Sequence, residues 1–441
     1  MDSLEALRDG RLTGARRLDL ACGLTAFPRE IFALADSLEV LNLSGNALAA
    51  LPGDLGRLHR LRVLFCSDNR FTELPPALGG CAALEMVGFK ANRIRSVPAS
   101  ALPPKLRWLI LTDNEIEQLP DALGDCAQLQ KLMLAGNRLR QLPAALAACG
   151  RLELLRISAN RFEAMPEWLL CLPRLAWLAF GGNPLTAAAE TAALAAAATP
   201  RIAWDRLALQ GQLGEGASGV IHEALWPDAA GNPTVAVKLF KGAVTSDGWP
   251  RSEMAACVAA GAHPHLIPVR GRVEAHPDAA QGLVLARIPR GYRNLADPPS
   301  LASCTRDVYA EGLRLSAASA LRMARGIASA AQQLHERGIV HGDLYAHNML
   351  CDGEGASFLG DFGAASFVPP APQAVAPALQ RIEVRAFGCL LEELAARCDA
   401  ADGDEAASID RMTALARRCI QPDVAQRPLF DQIVQALAAP R

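Results

Sequence analysis

Three absences narrow the field for this 441-residue chain. There is no excess of one charge: 44 Lys and Arg against 46 Asp and Glu leave −2, so nothing favours nucleic acid or an anionic membrane as partner. There is no run of about 18 apolar residues to cross a bilayer, and the Ala-rich stretch TAALAAAATP (191–200) is too short. There is no CxxC pair with zinc spacing among the twelve cysteines. They read as small buried hydrophobes of a reducing cytosol, so neither disulfides nor a cysteine-bound metal is expected. The start, MDSLEALRDG, is acidic and polar rather than basic and then apolar, so no secretory signal is expected. A soluble, cytoplasmic protein is the expectation. With 51% apolar residues, the length suits two or three domains with sizeable cores.

What is present first is a repeat. Asparagines recur at Asn46, Asn69, Asn92, Asn114, Asn137, Asn160 and Asn183, at spacings of 23, 23, 22, 23, 23 and 23. Each ends a phrase such as LEVLNLSGN, LRWLILTDN or LQKLMLAGN, and most continue into LP, as in LAALP, FTELP and IEQLP. The phrase LDLACGL adds an earlier unit, with Cys22 read at the Asn position. One unit of this kind cannot bury its apolar side alone, so stacked units must share a core. The pattern resembles the leucine-rich repeat family in its 23-residue, LPxxL-type form, over about eight units.

That resemblance implies a curved solenoid whose short strands line the concave side. The residues between the inward leucines then face outward. One column reads Val40, Val63, Met86, Trp108, Lys131, Leu154, Trp177, and the next Asn42, Phe65, Gly88, Ile110, Met133, Arg156, Ala179. Val40, Phe65, Met86, Trp108, Ile110, Met133 and Trp177 are the expected protein-binding surface, for a partner chain or this chain's own second half. Leu4 and Leu7 stand at helical spacing and suit an N-terminal cap within residues 1–185. Residues 186–204 open with an Ala-rich, helix-favouring run that Pro200 ends, expected to be a C-terminal cap and linker.

The second part, 205–441, carries the chemistry. Gly214, Gly216 and Gly219 form GxGxxG with Ile221 two residues on, between the strand-like flanks LALQGQL and VIHEAL. Strands on both sides make this a hairpin lid for phosphates rather than a strand-to-helix dinucleotide turn. Lys238 ends the apolar stretch VAVK, where a buried cation needs a partner, and Glu253 ahead of HPHLI is the candidate. GLVLARIPRG reads as a strand entering a connection, and LRMARGIASAAQQLHERGIV as an amphipathic helix. HGDLYAHNML (341–350) follows, then DFG at Asp361, eighteen residues after Asp343.

The ordered set resembles the eukaryotic-like protein kinase family, and CIQPDVAQRPLFDQIV (419–434) is similar to the ending of tyrosine kinases and tyrosine-kinase-like kinases. The fold class implied is an α/β leucine-rich-repeat solenoid followed by an α+β two-lobed kinase fold. The resemblance implies ATP and Mg²⁺ as cofactors, with Lys238 clamping phosphate and Glu253 orienting it. It makes Asp361 and Asn348 the metal ligands and Asp343 the acceptor of the substrate hydroxyl proton. Leu285 becomes the gatekeeper and Ala286 to Ile288 the adenine hinge, with Ile221, Ala236 and Leu350 sandwiching the base. The expected activity is transfer of the γ-phosphoryl group to protein hydroxyls, Ser/Thr or dual specificity.

The sequence departs from the family in four places. Gly342 replaces the Arg before the catalytic Asp, the usual counterion of a phosphorylated loop. Ser366 is the only hydroxyl side chain from Ala364 to Ile382, so no ordinary phospho-switch is expected. Tyr345 replaces a γ-phosphate-binding Lys, and His347 could supply that contact. The segment from Asp361 to Glu383 is short for the family, with Pro-rich FVPPAPQAVAP expected to be extended and APA (376–378) a remnant that lacks its Glu. Arg427 therefore needs another partner, and Glu383 stands where an Asp usually steadies the catalytic loop. Two alternatives remain open: a nucleotide-binding scaffold with little transfer, and a small-molecule kinase of the aminoglycoside or choline kinase type. The latter would be marked by an acidic pocket near CDAADGDEAAS (398–408), a stretch otherwise read as a solvated loop.

Overall fold

Leucines at a fixed 23-residue interval fold into stacked single strands in the computed structural model. It describes all residues except 1–3, 197–198, 217, 228–230, 232, 242–243, 371–374, 400–401 and 439–441. The chain divides into two units, Met1–Leu172 and Pro173–Arg441.

The first unit opens with helix α1 (Leu4–Arg8), which buries Ala6 and Leu7. Seven three-residue strands follow: β1 (Arg17–Asp19), β2 (Val40–Asn42), β3 (Val63–Phe65), β4 (Met86–Gly88), β5 (Trp108–Ile110), β6 (Lys131–Met133) and β7 (Leu154–Arg156). They pair in parallel with no register slip, Val40 on Val63, Val63 on Met86, Met86 on Trp108, and so on. The inward leucines Leu41, Leu64, Leu109, Leu132 and Leu155 are at most 1% exposed.

The asparagines stitch neighbouring units. The Asn137 side chain accepts from the Ile116 N–H at 3.0 Å and donates to the carbonyls of Leu111 and Leu134, each at 2.9 Å. Asn69, Asn114 and Asn160 repeat the arrangement. Each amide oxygen satisfies a buried N–H that would otherwise cost about 1–3 kcal/mol, and consecutive asparagines share a carbonyl, as Asn114 and Asn137 share that of Leu111. The pairing of Leu18 with Leu41 corrects the earliest unit: the position of Asn46 falls on Gly23, not Cys22. Gly23 has φ +73°, and Cys22 is exposed, with its N–H donating to Asn46 Oδ1 at 3.1 Å. Cys22 and Cys171 are exposed, against the reading of the cysteines as buried.

The concave columns run in the expected register, but not all of the seven named residues are available. Val40, Phe65, Trp108, Ile110 and Met133 keep part of their surface, and Lys131 Nζ lies 4.2 Å from the centre of the Trp108 ring. Met86 is only 2% exposed, flanked in register by Val63 and Trp108. Trp177 is equally buried, for a reason given below.

The second unit starts earlier than the end of the repeat pattern suggests. It includes β8 (Trp177–Ala179), α2 (Pro184–Ala196) and β9 (Arg201–Ala203). β9 is no linker: it pairs in parallel with β13 (Val269–Glu274) at the edge of a sheet. That sheet also holds β10 (Ala208–Glu215), β11 (Gly219–Leu225), β12 (Thr234–Phe240) and β14 (Gly282–Ala286), in the order β10-β11-β12-β14-β13-β9. Helix α3 (Pro250–Ala260) belongs to this lobe and buries Glu253, Ala255 and Ala256.

The other lobe is mostly helical. It contains α4 (Ala317–Glu336), α5 (Val375–Ala395), α6 (Asp404–Cys419) and α7 (Phe430–Ala438). Ser316 caps α4 by accepting the Ser319 N–H at 3.1 Å, and Gly338 leaves it at φ +68°. The inner face of α4 holds Ala324, Ile327, Ala331 and Leu334, joined by Met323, whereas Leu321 is only half-buried. Short strands β15 (Arg293–Asn294), β17 (Met349–Cys351) and β18 (Ser357–Leu359) form one sheet, and β16 (Ile339–Val340) pairs with β19 (Ser366–Phe367). Helix α5 corrects one expectation. Part of FVPPAPQAVAP (371–374) lies outside the described residues, but Val375 to Ala378 are helical, not extended. Likewise α6 begins at Asp404, so the acidic stretch is half helix, with 400–401 outside the described residues.

Candidate active site

The glycine-rich segment is a hairpin turn, as the flanks require: β10 and β11 pair antiparallel on either side of it. Residue 217 within it lies outside the described residues. Gly219 is held against the sheet, since a Cβ there would stand 2.5 Å from the Leu239 carbonyl oxygen. Gly214 and Gly216 face open space.

Alternation along β12 turns Val235 and Val237 into the core and brings Lys238 opposite Ile221. Its ammonium forms an ion pair with Glu253 of α3, in which both side chains are almost fully buried. Asp361 Oδ1 lies 3.9 Å from the same Nζ. Burial works against the charge on Lys238, but Glu253 and Asp361 outweigh it and hold its pKa above the ordinary value. Burial lifts Glu253 to about 7, with Lys238 opposing.

The 341–350 loop reaches the same cleft through His347, Asn348 and Leu350. Asn348 Nδ2 donates to Asp343 Oδ2 at 2.8 Å and to the Asp343 carbonyl at 2.9 Å, which fixes the two side chains together. Asp361 sits at φ +51°, and its carboxylate accepts the Gly363 N–H at 3.1 Å while remaining half exposed. A non-glycine residue in this backbone region carries strain of about 1–3 kcal/mol, typical of functional sites. His341 Nε2 meets the Gly360 carbonyl at 2.9 Å, and its ring packs edge-on to Phe362.

The cleft has two connected parts, about 150 Å³ and 480 Å³, with Ile221, Ile267, Leu285, Gly360 and Asp361 lining both. Gly216, Gly219, Lys238 and Glu253 line the inner part. Gly214, Ala236, Ala286, Ile288, Leu350 and Asn348 line the outer part, with His347 at its wall. All the residues singled out from the sequence for nucleotide contact thus border one space. Apolar walls with a few convergent polar groups suit a nucleotide base with phosphates beyond it. The donor set suits a hard cation: Asp361 offers an exposed carboxylate, and Asn348, with its NH₂ turned to Asp343, keeps its amide oxygen. Mg²⁺ is commonly held by so few protein oxygens together with substrate phosphates.

Several contributors had no usable sequence signal. Asp307, forty positions from His347, accepts its ring Nδ1–H at 2.7 Å and its backbone N–H at 3.0 Å. Burial pulls the His347 pKa down, but Asp307, Asp343 and Asp361 overcome this and raise it above the ordinary histidine value. Ile267 was legible only as part of HPHLI, and Glu223, which pairs with Arg287 at 2.9 Å beside the cleft, not at all.

The supports under the loop are specific. Glu383, buried in α5, accepts the Gly342 N–H and a His335 Nε2–H, each at 2.6 Å. Burial would raise its pKa, but His335, His341 and that N–H together hold it below the usual carboxylate range. Arg427 is 1% exposed and has three backbone carbonyls as partners: Gln421 at 2.8 Å, Arg381 at 3.1 Å and Pro173 at 2.8 Å. Burial and the neighbouring Arg385 pull it down to about 10.

Residues 207–385 match the family described as protein tyrosine and serine/threonine kinase, and 37–58, 60–81 and 82–139 match leucine-rich repeats. The chain therefore joins leucine-rich repeats to a protein kinase domain. A Dictyostelium discoideum protein named "Probable serine/threonine-protein kinase gdt4" is 29% identical over 150 residues, 34% of this chain and 8% of that protein. Human leucine-rich repeat-containing protein 58 is 35% identical over 85 residues, 18% of this chain and 23% of that protein. The chain thus spans less than a quarter of either relative. Among the described residues, no helix is long and apolar enough to cross a membrane.

Proposed function

We propose that the protein is an ATP-dependent protein kinase that phosphorylates Ser/Thr hydroxyls of proteins in the cytoplasm, with the repeats as a recruiting surface. The observation that carries the reading is the convergence of Lys238–Glu253, Asp361 and the Asn348–Asp343 pair on one apolar-walled cleft. Lys238 would hold the α- and β-phosphates, and Asp361 and Asn348 would hold Mg²⁺, which neutralises charge on the transferring phosphoryl group. The substrate hydroxyl oxygen bonds to the γ-phosphorus as the bond to the β,γ-bridging oxygen breaks, ADP leaves, and Asp343 accepts the hydroxyl proton. His347 stands at the cleft with a raised pKa and a fixed ring, as a γ-phosphate donor requires. The printed name of the Dictyostelium relative favours Ser/Thr over Tyr. Recruitment falls to Val40, Phe65, Trp108, Ile110 and Met133, the named concave residues that retain exposed surface.

Incubation of wild type and Asp343→Asn with Mg-ATP and generic protein substrates tests the reading. Label transfer by wild type alone is expected, and equal transfer by both sinks it. ATP-dependent thermal stabilisation without turnover would point instead to a nucleotide-binding scaffold.

A further inference from the structure

The buried Trp177 is the contact that the kinase reading leaves unexplained. Its indole stacks on Tyr345 with ring centres 4.3 Å apart and planes 5° from parallel. Its Nε1–H donates to the Leu344 carbonyl at 3.2 Å. Tyr345 in turn packs on the His347 ring at 4.9 Å, and Asp307 holds that ring through its Nδ1–H at 2.7 Å. Trp177, Tyr345, His347 and Asp307 therefore form one continuous chain of contacts along the loop that carries Asp343 and Asn348.

The rest of the last repeat unit makes further contacts of the same kind. The Phe180 N–H donates to Ser366 Oγ at 2.9 Å, and that hydroxyl donates to the Ala364 carbonyl at 3.2 Å. Ser366, the only hydroxyl in the short segment after DFG, is fully buried by these bonds and closed to modification. Pro173 and Arg174 supply carbonyls to Arg427 and Arg385. In α2, Glu190 accepts from Ser252 at 2.9 Å, beside Glu253 on α3.

We propose that Trp177 is a positioning residue for the catalytic loop, and that the last repeat unit is a resident brace that holds loop and DFG segment in one arrangement without phosphorylation. The catalytic consequence rests on the kinase reading; the bracing does not. A stacked aromatic pair with one directed hydrogen bond fixes a loop both in distance and in tilt. Misplacement of a catalytic group by about 1 Å costs about 100-fold in rate while leaving the nucleotide pocket intact.

The test uses full-length Trp177→Ala and Trp177→Phe beside wild type, with two readouts. Hydrogen exchange of amides 341–350 should speed up at least about tenfold in Trp177→Ala, with no change in β12 or α3, and be largely restored in Trp177→Phe. The kcat should fall about 10- to 100-fold in Trp177→Ala with the KM for ATP within about twofold, and Trp177→Phe should recover most of it. Exchange in Trp177→Ala equal to wild type, or equal losses in kcat for the Ala and Phe variants, overturns the proposal. If Trp177→Ala does not fold, Trp177→Leu keeps apolar volume without the stack, and wild-type exchange in it is equally fatal. If wild type transfers no phosphate at all, the kinase reading fails, and the exchange readout still decides the brace.

Discussion

Replacing Gly342 by Arg would restore the wording common in protein kinases, and the structure says that it should damage this one. Gly342 sits at φ +74°, and a Cβ there would stand 2.6 Å from the Ala364 carbonyl oxygen and 2.7 Å from that of Leu178. Both are backbone atoms in packed strands or loops, so neither can swing aside as a side chain would. The left-handed backbone costs a non-glycine residue about 1–2 kcal/mol. Forcing extra atoms into a filled space adds about 1–3 kcal/mol. The sum, about 2–5 kcal/mol, is a large share of a total stability of about 5–15 kcal/mol. At about 2–4 °C per kcal/mol, a loss of about 3 kcal/mol lowers the melting temperature by about 6–12 °C. Gly342→Ala isolates the backbone and Cβ terms from the charge of Arg. Gly338→Ala is the internal reference, because Gly338 has φ +68° but nothing within 4 Å of a built Cβ. Scanning calorimetry of the full chain should show Gly342→Ala costing about 1–3 kcal/mol more than Gly338→Ala. Equal costs would refute the close approach of Leu178 and Ala364, and with it the structural reason for a glycine before Asp343.

Two further outcomes test other parts of the molecule. His347 has a raised folded-state pKa, so its charged form contributes stability that is fully present below about 6.5 and lost as pH rises through the folded value. The melting-temperature gap between wild type and His347→Gln should therefore be widest on the acid side of 6.5 and narrow above it; a gap independent of pH would count against the Asp307 contact. Asn137→Ala leaves the Ile116 N–H without its buried partner, while the Leu111 and Leu134 carbonyls keep the amides of Asn114 and Asn160. A loss of about 1–3 kcal/mol is expected by chemical denaturation, and a loss under about 1 kcal/mol would show that water replaces the amide.

Much of the proposed site could be named from the sequence because the phosphoryl transfer proposed for it needs particular residue types in a fixed chain order. Lys238, Glu253, Asp343, Asn348 and Asp361 each lie in a short local phrase; one cleft gathers four of them, and Asn348 holds Asp343 beside it. The repeat was legible because a solenoid repeats one local solution, so Asn137 and Asn160 make the same bonds. Asp307 was not legible, since a carboxylate in a loop has no pattern until the fold brings it under His347. The burial of the last repeat strand had no sequence signal for a related reason. β8 still carries a repeat phrase, yet its Trp177 is buried against Tyr345, so its apolar surface is no open face.

The sequence by itself determined the two classes of structure, the order in which they occur and the residue types at the cleft, because period and local phrase depend on neighbours in the chain. Only the tertiary structure decided what stands in for the missing parts. Arg427 lacks the expected carboxylate and takes the Pro173 carbonyl; Gly342 lacks a side chain because Leu178 and Ala364 fill the space. Both facts depend on close packing between segments more than 160 residues apart, and no local pattern encodes a distance of that kind.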